Sequence, residues 1–173
     1  MAQDLTLTGV ERTFSDDEVI VSRTDIKGRI TYCNRVFMHL AGYKEEDLLG
    51  QPHSIIRHPA MPRCVFKLLW DTVSSGKEIF AYVINRSANG DHYWVFAHVT
   101  PTFNPAGQIV GYHSARRNPK RSAVAKVEDL YKALLAEEAR HASSKEGMQA
   151  SFQMVVDLLT KNGISYDEFV FSL

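Results

Sequence analysis

Two long apolar runs separated by an Asn-Gly turn constrain this chain more than any other feature of its sequence. Residues 79–86 and 91–103 are rich in aromatic and β-branched residues, and Asn89-Gly90 lies between them. An Asn-Gly pair in that position is typical of a β-hairpin, because both residues adopt positive φ at little cost. A further strand is predicted over residues 108–116, after a Pro-Ala-Gly turn. The centre of the chain therefore predicts three antiparallel strands.

The segments before this hairpin predict two more strands and several short helices. Short strands are predicted over residues 19–21 and 29–33, and Asn34 is of a residue type that caps a following helix. Apolar residues at helical intervals predict a helix over residues 62–74, and its inner stripe is Phe66, Leu69 and Trp70. Two strands, short helices and three strands in that order predict an α+β fold, with a five-stranded antiparallel sheet that carries its helices on one face.

Composition divides the chain into three parts. Residues 1–18 are predicted to form a helical N-terminal cap, because they end in the capping-type cluster Ser15-Asp16-Asp17-Glu18. Residues 19–117, which are dense in strand and turn signals, are predicted to form the core domain. Residues 118–173 predict a helical tail with one amphipathic helix after Ser122, a second that ends at Asn162-Gly163, and a short third helix.

Charge and composition exclude several functional classes. The 173-residue chain has twenty basic and twenty acidic residues, so its overall charge does not favour nucleic acid. No apolar run approaches the roughly 20 residues that span a bilayer. The first residues lack a basic segment followed by an apolar one, so we do not expect a secreted protein. Cys33 and Cys64 are too few for a disulfide framework, which favours a cytoplasmic protein. No nucleophile elbow or phosphate-cradling glycine loop is present, so we expect no enzymatic activity.

Short motifs in the central part resemble those of the PAS domain, and more narrowly those of the flavin-binding PAS domain of aerotaxis receptors. Asn89-Gly90-Asp91 and Gly111-Tyr112 occur in many PAS domains and indicate only the fold. The run Pro52-His53, Arg57-His58-Pro59 and Met61-Pro62 is more specific and indicates the subfamily. The resemblance covers about residues 19–117 and implies FAD as the cofactor of a cytoplasmic redox or energy sensor.

The resemblance also implies candidate residues for FAD binding. His53, Arg57 and His58 fall in the segment that lines the pocket mouth in the family, and Arg57 and His58 are expected to contact the pyrophosphate or ribose. The alternative is that Arg57 is a solvated loop cation and His58 a residue of a helical turn. Trp70 is expected to line the flavin pocket, although ordinary core packing also explains an aromatic residue at helical spacing.

Two asparagines are further candidates. Asn85 lies in an otherwise apolar strand, where a buried amide requires a hydrogen-bond partner. The N5 atom of oxidised flavin accepts a hydrogen bond and the reduced N5–H donates one, so an amide that faces N5 would rotate on reduction. The alternative is that Asn85 points outward before the turn. Asn34 is expected mainly to cap its helix and secondarily to support the pocket.

Two departures from the family pattern bear on these expectations. Ala60 stands where the family usually has an aspartate that is linked to flavin retention. The tail continues without the membrane and signalling segments of aerotaxis receptors, so we expect a stand-alone PAS sensor. Such a sensor would signal to a chemoreceptor-like or kinase-like partner protein and dimerise through its flanking helices, without inserting into a membrane.

Two alternatives stay open for a domain of this fold. One is a haem-based gas sensor, in which a histidine would be the axial ligand; the candidates are His53, His92, His98 and His113. The other is a cofactor-free interaction module whose pocket is filled by Phe37, Phe66, Trp70 and Phe96. Neither cysteine lies in the Asn-Cys-Arg-Phe context of light-sensing relatives, so blue-light photochemistry is not expected.

Overall fold

Five antiparallel strands form one sheet in the order β2-β1-β5-β4-β3, so the first strand of the chain lies beside the last. The computed structural model describes residues 6–173. The strands are β1 (Ile20–Asp25), β2 (Ile30–Cys33), β3 (Ile79–Arg86), β4 (His92–Phe103) and β5 (Ile109–Arg117). The helices are α1 (Arg35–Ala41), α2 (Glu45–Leu48), α3 (Arg63–Ser74), α4 (Arg121–Ala139), α5 (Ser144–Asn162) and α6 (Tyr166–Phe171), with a 3-10 turn at His53–Ile56. The predicted α+β sheet fold is confirmed.

The predicted hairpin forms between β3 and β4. All of β3 pairs with residues 92–99 of β4, with Asn85 opposite Tyr93 and Val83 opposite Val95. Gly90 has a φ of 94°, a conformation that favours glycine. Asp91 accepts hydrogen bonds from Thr8, Asn89 and Arg12, and these bonds lower the pKa of its carboxyl to about 2. The turn is thus tied to the N-terminal segment.

The short helices follow their capping signals. The Asn34 side chain accepts a hydrogen bond from the Phe37 amide at the start of α1, and Gly42 ends that helix with a φ of 70°. Residue 62, predicted inside α3, is instead its N-cap. Strand β1 extends to Asp25 and is longer than the predicted 19–21, because it pairs with β5 from Ile20 onward.

The C-terminal helices cover the open edge of β3. The Tyr131 hydroxyl of α4 donates to the Tyr82 carbonyl at 2.5 Å, and the Tyr166 hydroxyl of α6 donates to the Phe80 carbonyl at 2.9 Å. Both tyrosines satisfy backbone groups that an edge strand leaves unpaired. No helix within residues 6–173 is both long and apolar enough to cross a membrane.

The N-terminal segment corrects one part of the predicted fold. Residues 6–18 form no helix, whereas a helical cap was expected, and residues 1–5 of that cap lie outside the described residues. The predicted capping cluster closes only a turn, in which the Ser15 amide donates to the Glu18 carboxylate. The chain enters β1 directly afterwards, so no helix can propagate. Arg12 instead donates to the carbonyls of His39 and Leu40 at the end of α1.

Candidate functional site

A cavity of about 560 Å³ lies between the sheet and α3. Inward-facing residues of β1, β3, β4 and β5 form one wall, and α3 with the 3-10 turn forms the opposite wall. Met148 of α5 adds to this second wall. The volume falls within the range of about 300–1,000 Å³ typical of small-molecule sites, and most of the lining is apolar.

Cationic side chains distinguish this cavity from an ordinary apolar pocket. The cations that line it are Lys27, Arg57, Arg63, Lys67 and Arg116. No carboxylate lines it within residues 6–173. Lys67 also pairs with Asp71 on the outer side of α3. An excess of positive charge around a largely apolar space favours a ligand with an anionic part.

Arg116 places a buried positive charge directly beside the cavity. Its side chain is only 2% exposed, and its hydrogen-bond partners, Ser22 and His53, are both neutral. The guanidinium lies 5.0 Å from the centroid of the Phe37 ring, and its Nε atom has no hydrogen-bond partner. Burial lowers the pKa of Arg116 to about 10, so the group stays protonated at neutral pH.

Arg116 also fixes the protonation state of His53. Burial and the charge of Arg116 lower the pKa of His53 to about 3, so its imidazole is neutral. Arginine only donates hydrogen bonds, so the His53 Nε2 atom, 3.4 Å from Arg116 Nη1, accepts and the proton lies on Nδ1. The Ser22 hydroxyl accepts from Arg116 and donates to the same Nε2 atom at 3.2 Å. These three side chains therefore form one polar cluster in the cavity wall.

Asn85 presents an unpartnered amide to the cavity. The residue is 4% exposed, lines the cavity from β3, and its Nδ2 atom has no hydrogen-bond partner within residues 6–173. The Thr24 hydroxyl at the other end of the cavity is also buried and unpartnered. Buried polar groups are rarely left unpaired, because each unmade bond costs about 1–3 kcal/mol. Both groups are therefore available to a ligand.

Trp70 closes one end of the cavity. Its ring packs edge-on against Tyr112 with the centroids 5.4 Å apart, and 39% of the residue is exposed. Gly28, which has a φ of 76°, lies beneath this ring, and a Cβ atom there would come within 3.2 Å of the Trp70 ring. Trp70 therefore lies partly exposed at the mouth of the cavity and is not part of the hydrophobic core.

Arg57 lines the cavity and is anchored there, whereas His58 and Asn34 do not line it. The Arg57 guanidinium lies 4.1 Å from the centroid of the Phe66 ring, and its backbone forms a β-bridge with Asn85. The His58 Nδ1 atom accepts from the Ala60 amide at 3.0 Å, and its ring packs against His92. His58 therefore shapes the loop that carries Arg57.

Asn34 supports the frame of the site from outside the cavity. Its amide joins α1 to β1, because Nδ2 donates to the Val19 carbonyl and Oδ1 accepts from the Val21 amide. Of the candidates from sequence, His53, Arg57, Trp70 and Asn85 share the cavity.

Sequence reasoning missed Arg116 and Ser22. Period-two alternation along the predicted strand 108–116 would have placed Tyr112, Ser114 and Arg116 on one face. The pairing of β1 with β5 sets Ser22 opposite Ser114 on that same face. The alternation along this strand shows which residues share a face, but nothing in the local sequence shows which of the two faces points into the cavity.

His53 and His58 predict a loss of stability in mild acid. Burial, with His92 and Arg86, also lowers the pKa of His58 to about 4. Between about pH 6.5 and pH 4 the unfolded chain binds more protons at His53 and His58 than the folded chain, so the free energy of unfolding rises with pH in this window. Each imidazole contributes up to about 1.4 kcal/mol per pH unit.

Urea unfolding at pH 7.5 and pH 5.5 measures this effect above the range where carboxylates titrate. The double variant His53→Gln, His58→Asn keeps the hydrogen-bond acceptors and should flatten the pH dependence. Equal stability of the unsubstituted protein at the two pH values would contradict the assignment of neutral histidines.

Comparison with known sequences identifies the fold family. The family model described as the PAS fold matches residues 30–116. The aerotaxis receptor of Escherichia coli is 43% identical over 122 residues, which is 70% of this chain and 24% of the receptor. A nitrogen fixation regulatory protein of Klebsiella pneumoniae is 30% identical over 100 residues, which is 58% of this chain and 20% of that protein. The chain thus spans less than a quarter of the length of these signalling relatives.

Solved structures agree on the fold. The dark structure of the blue-light photoreceptor Aureochrome1 LOV superposes with a TM-score of 0.53 at 23% identity, covering 69% of this chain and 84% of that one. A light-oxygen-voltage domain studied with a flavin analogue gives a TM-score of 0.53 at 18% identity, covering 70% of this chain and 86% of that one.

These matches confirm the resemblance that the motifs of residues 52–62 indicated. The matched region holds β2, β3 and β4 completely, β5 except for its last residue, and the cavity helix α3. The chain belongs to the PAS fold family.

Proposed function

We propose that the cavity binds FAD and that the chain is a cytoplasmic redox sensor, which passes the oxidation state of the flavin to a partner protein. The observation that carries this proposal is the combination of five cationic side chains and an unpartnered Asn85 amide around a largely apolar cavity. A flavin ring is flat, apolar on its faces and polar along one edge, and the diphosphate of FAD is anionic. The names of the aerotaxis and nitrogen-fixation relatives support a signalling role.

The residues present fit FAD. Arg57, Arg63 and Lys67 would hold the diphosphate, because guanidinium and ammonium groups are strong donors to phosphate oxygens. Asn85 offers an unpaired amide to the polar edge of the ring, and Thr24, at the other end of the cavity, offers a hydroxyl to another polar part of the ligand. Trp70 would cover the ring at the mouth. When bound, a flavin supplies reversible electron transfer.

Asn85 offers a way for the protein to respond. Its amide carries both a donor and an acceptor, so rotation of the side chain exchanges the group that faces the cavity. The backbone of Asn85 is bridged to that of Arg57. A change at Asn85 would therefore reach both β3 and the loop before α3, without any catalysed reaction on the chain.

A haem is the less suitable cofactor. Two of the candidate axial ligands, His53 and His113, line the cavity, and the Nε2 atom of His53 already accepts from Arg116 and Ser22. The cofactor-free alternative expected Phe96 to help fill the pocket. Phe96 instead packs with Phe80 and Phe171 and does not line the cavity.

The signalling partner and the oligomer form part of the same proposal. A chemoreceptor-like or kinase-like protein would receive the signal, and two copies would associate through the flanking helices. Met154 and Val156, exposed on α5, support the second statement. Light scattering during size exclusion measures the oligomeric state.

The absorption spectrum of the purified protein tests the cofactor directly. We expect the yellow colour of oxidised flavin, bleached by dithionite, and FAD as the nucleotide released on denaturation. Protein from a flavin-rich host that is colourless and takes up no added FAD would overturn the proposal. A Soret band would replace it with the haem sensor.

Arg57→Ala and Trp70→Ala should each weaken FAD binding by about fivefold, since a half-exposed contact of this kind contributes about 1 kcal/mol. Neither change should lower the unfolding midpoint much, because both side chains are partly exposed. Fluorescence titration of FAD measures the affinity. Arg35→Ala, an exposed arginine of α1 outside the cavity, is the matched control. Unchanged affinity in either variant removes that residue from the site.

A further inference from the structure

Helix α5 forms part of the cavity wall although it lies far along the chain. Met148 of α5 lines the cavity together with residues of α3. The ammonium of Lys67, another lining residue, lies 5.3 Å from the centroid of the Phe152 ring of α5. Removal of α5 would therefore open the cavity and release a cation at its edge.

A single buried carboxylate fastens this wall to the rest of the domain. Glu138, in the last turn of α4, is 8% exposed and accepts from the Cys64 amide at 3.2 Å and from the Ser151 hydroxyl at 3.0 Å. Cys64 lies in the first turn of α3, whose own N-cap, Pro62, makes no side-chain capping bond. Glu138 thus supplies the cap that α3 lacks, and its negative charge complements the helix dipole.

The same carboxylate sits where three helices meet. Gly147 of α5 packs so closely on α4 that a Cβ atom there would lie 2.5 Å from the Glu138 carbonyl oxygen. The field of Glu138 also reaches the cavity, because its negative charge raises the pKa of Arg57 against the stronger lowering effects of burial and Arg63. Movement of the α4–α5 pair would therefore change α3 and a cavity cation together.

We propose that α4 and α5 complete the ligand site, with Glu138 as the positioning residue, so that docking of this helix pair and ligand binding strengthen each other. This inference rests on the proposed function only in taking FAD as the ligand. The coupling is reciprocal: FAD stabilises the docked helices, and loosening the helices weakens FAD by the same factor. The helix pair thereby becomes the element through which occupancy is read.

Hydrogen exchange of the full chain, with and without saturating FAD, tests the coupling. We expect FAD to slow amide exchange in α5 by about tenfold. Glu138→Ala should speed α5 exchange in the flavin-free protein by about tenfold and raise the Kd for FAD by a similar factor, because two hydrogen bonds to a charged acceptor are lost. Glu138→Gln keeps an acceptor for the Cys64 amide and should recover part of both effects.

A control variant tests whether the effects are specific to Glu138, and a milder variant serves if Glu138→Ala does not fold. Glu137 lies in the same turn, and its side-chain hydrogen bonds within residues 6–173 go to Arg140 and His141, so Glu137→Ala should change neither quantity. Ser151→Ala removes one donor and replaces Glu138→Ala if that variant does not fold. FAD binding with unchanged α5 exchange would overturn the coupling and leave the proposed function standing. No FAD binding by the unsubstituted chain would overturn both.

Discussion

Replacing Arg116 with methionine is expected to weaken FAD binding by about tenfold to a hundredfold and to stabilise the flavin-free protein. The guanidinium is buried beside the cavity with neutral partners only, so the empty protein bears the cost of an unpaired buried charge. Methionine has a similar length and removes that cost, which should raise the free energy of unfolding by roughly 1 kcal/mol. The polar edge of the flavin ring loses a hydrogen bond from a charged donor, which is worth about 1.5–3 kcal/mol.

The opposite signs of the two effects make this prediction specific. FAD titration and urea unfolding of the flavin-free protein measure them, and the pKa of His53 should rise in the variant because Arg116 helps to lower it. Arg117→Met, the exposed neighbour on the same strand, should change none of these quantities. A variant that loses stability and keeps FAD would show that Arg116 is a structural residue and not a ligand contact.

The sheet was predictable because its signals are local. Asn89-Gly90 lies between two runs of strand-forming residues, and the turn between the strands takes a positive φ at Gly90, although not at Asn89. The ends of α1 were likewise predictable from single residues, because the Asn34 side chain caps its start and Gly42 takes the left-handed conformation at its end. The length of β1 could not be predicted from local sequence, because residues up to Asp25 join the strand only by pairing with β5. The helix predicted for the N-terminal segment was wrong for the same reason, because Arg12 of this segment bonds to residues distant in sequence, Asp91, His39 and Leu40.

The site residues also divide into those that local sequence identifies and those that it does not. Asn85 was identified because a polar residue within an apolar strand is unusual, and Arg57 and Trp70 because their motif resembles a known family. Arg116 could not be identified, because a strand ending in two arginines does not reveal which of them points inward. Glu138 was beyond sequence reasoning altogether, since its partner Cys64 lies 74 residues away.

Substituting Asn85 with leucine should separate flavin binding from the response to reduction. Leucine removes an unpartnered buried amide at similar volume, so the flavin-free protein should be as stable as before or more stable by about 1–2 kcal/mol. FAD binding should weaken by about tenfold, since the edge of the ring loses its amide partner. Asn118→Leu, outside the cavity, is the control for an amide-to-leucine change.

The decisive measurement uses the Asn85→Leu protein at FAD concentrations that saturate it. In the unsubstituted protein we expect amide exchange in β3 and in the Arg57 loop to differ between the oxidised and dithionite-reduced forms, because the Asn85 amide must turn to exchange donor for acceptor and its backbone is bridged to Arg57. Leucine has nothing to turn, so the difference between the two redox forms should disappear although flavin is bound. A redox-dependent difference that persists at full strength in the leucine variant would assign the switch to another group, and the unpartnered Thr24 hydroxyl would then be the next to substitute.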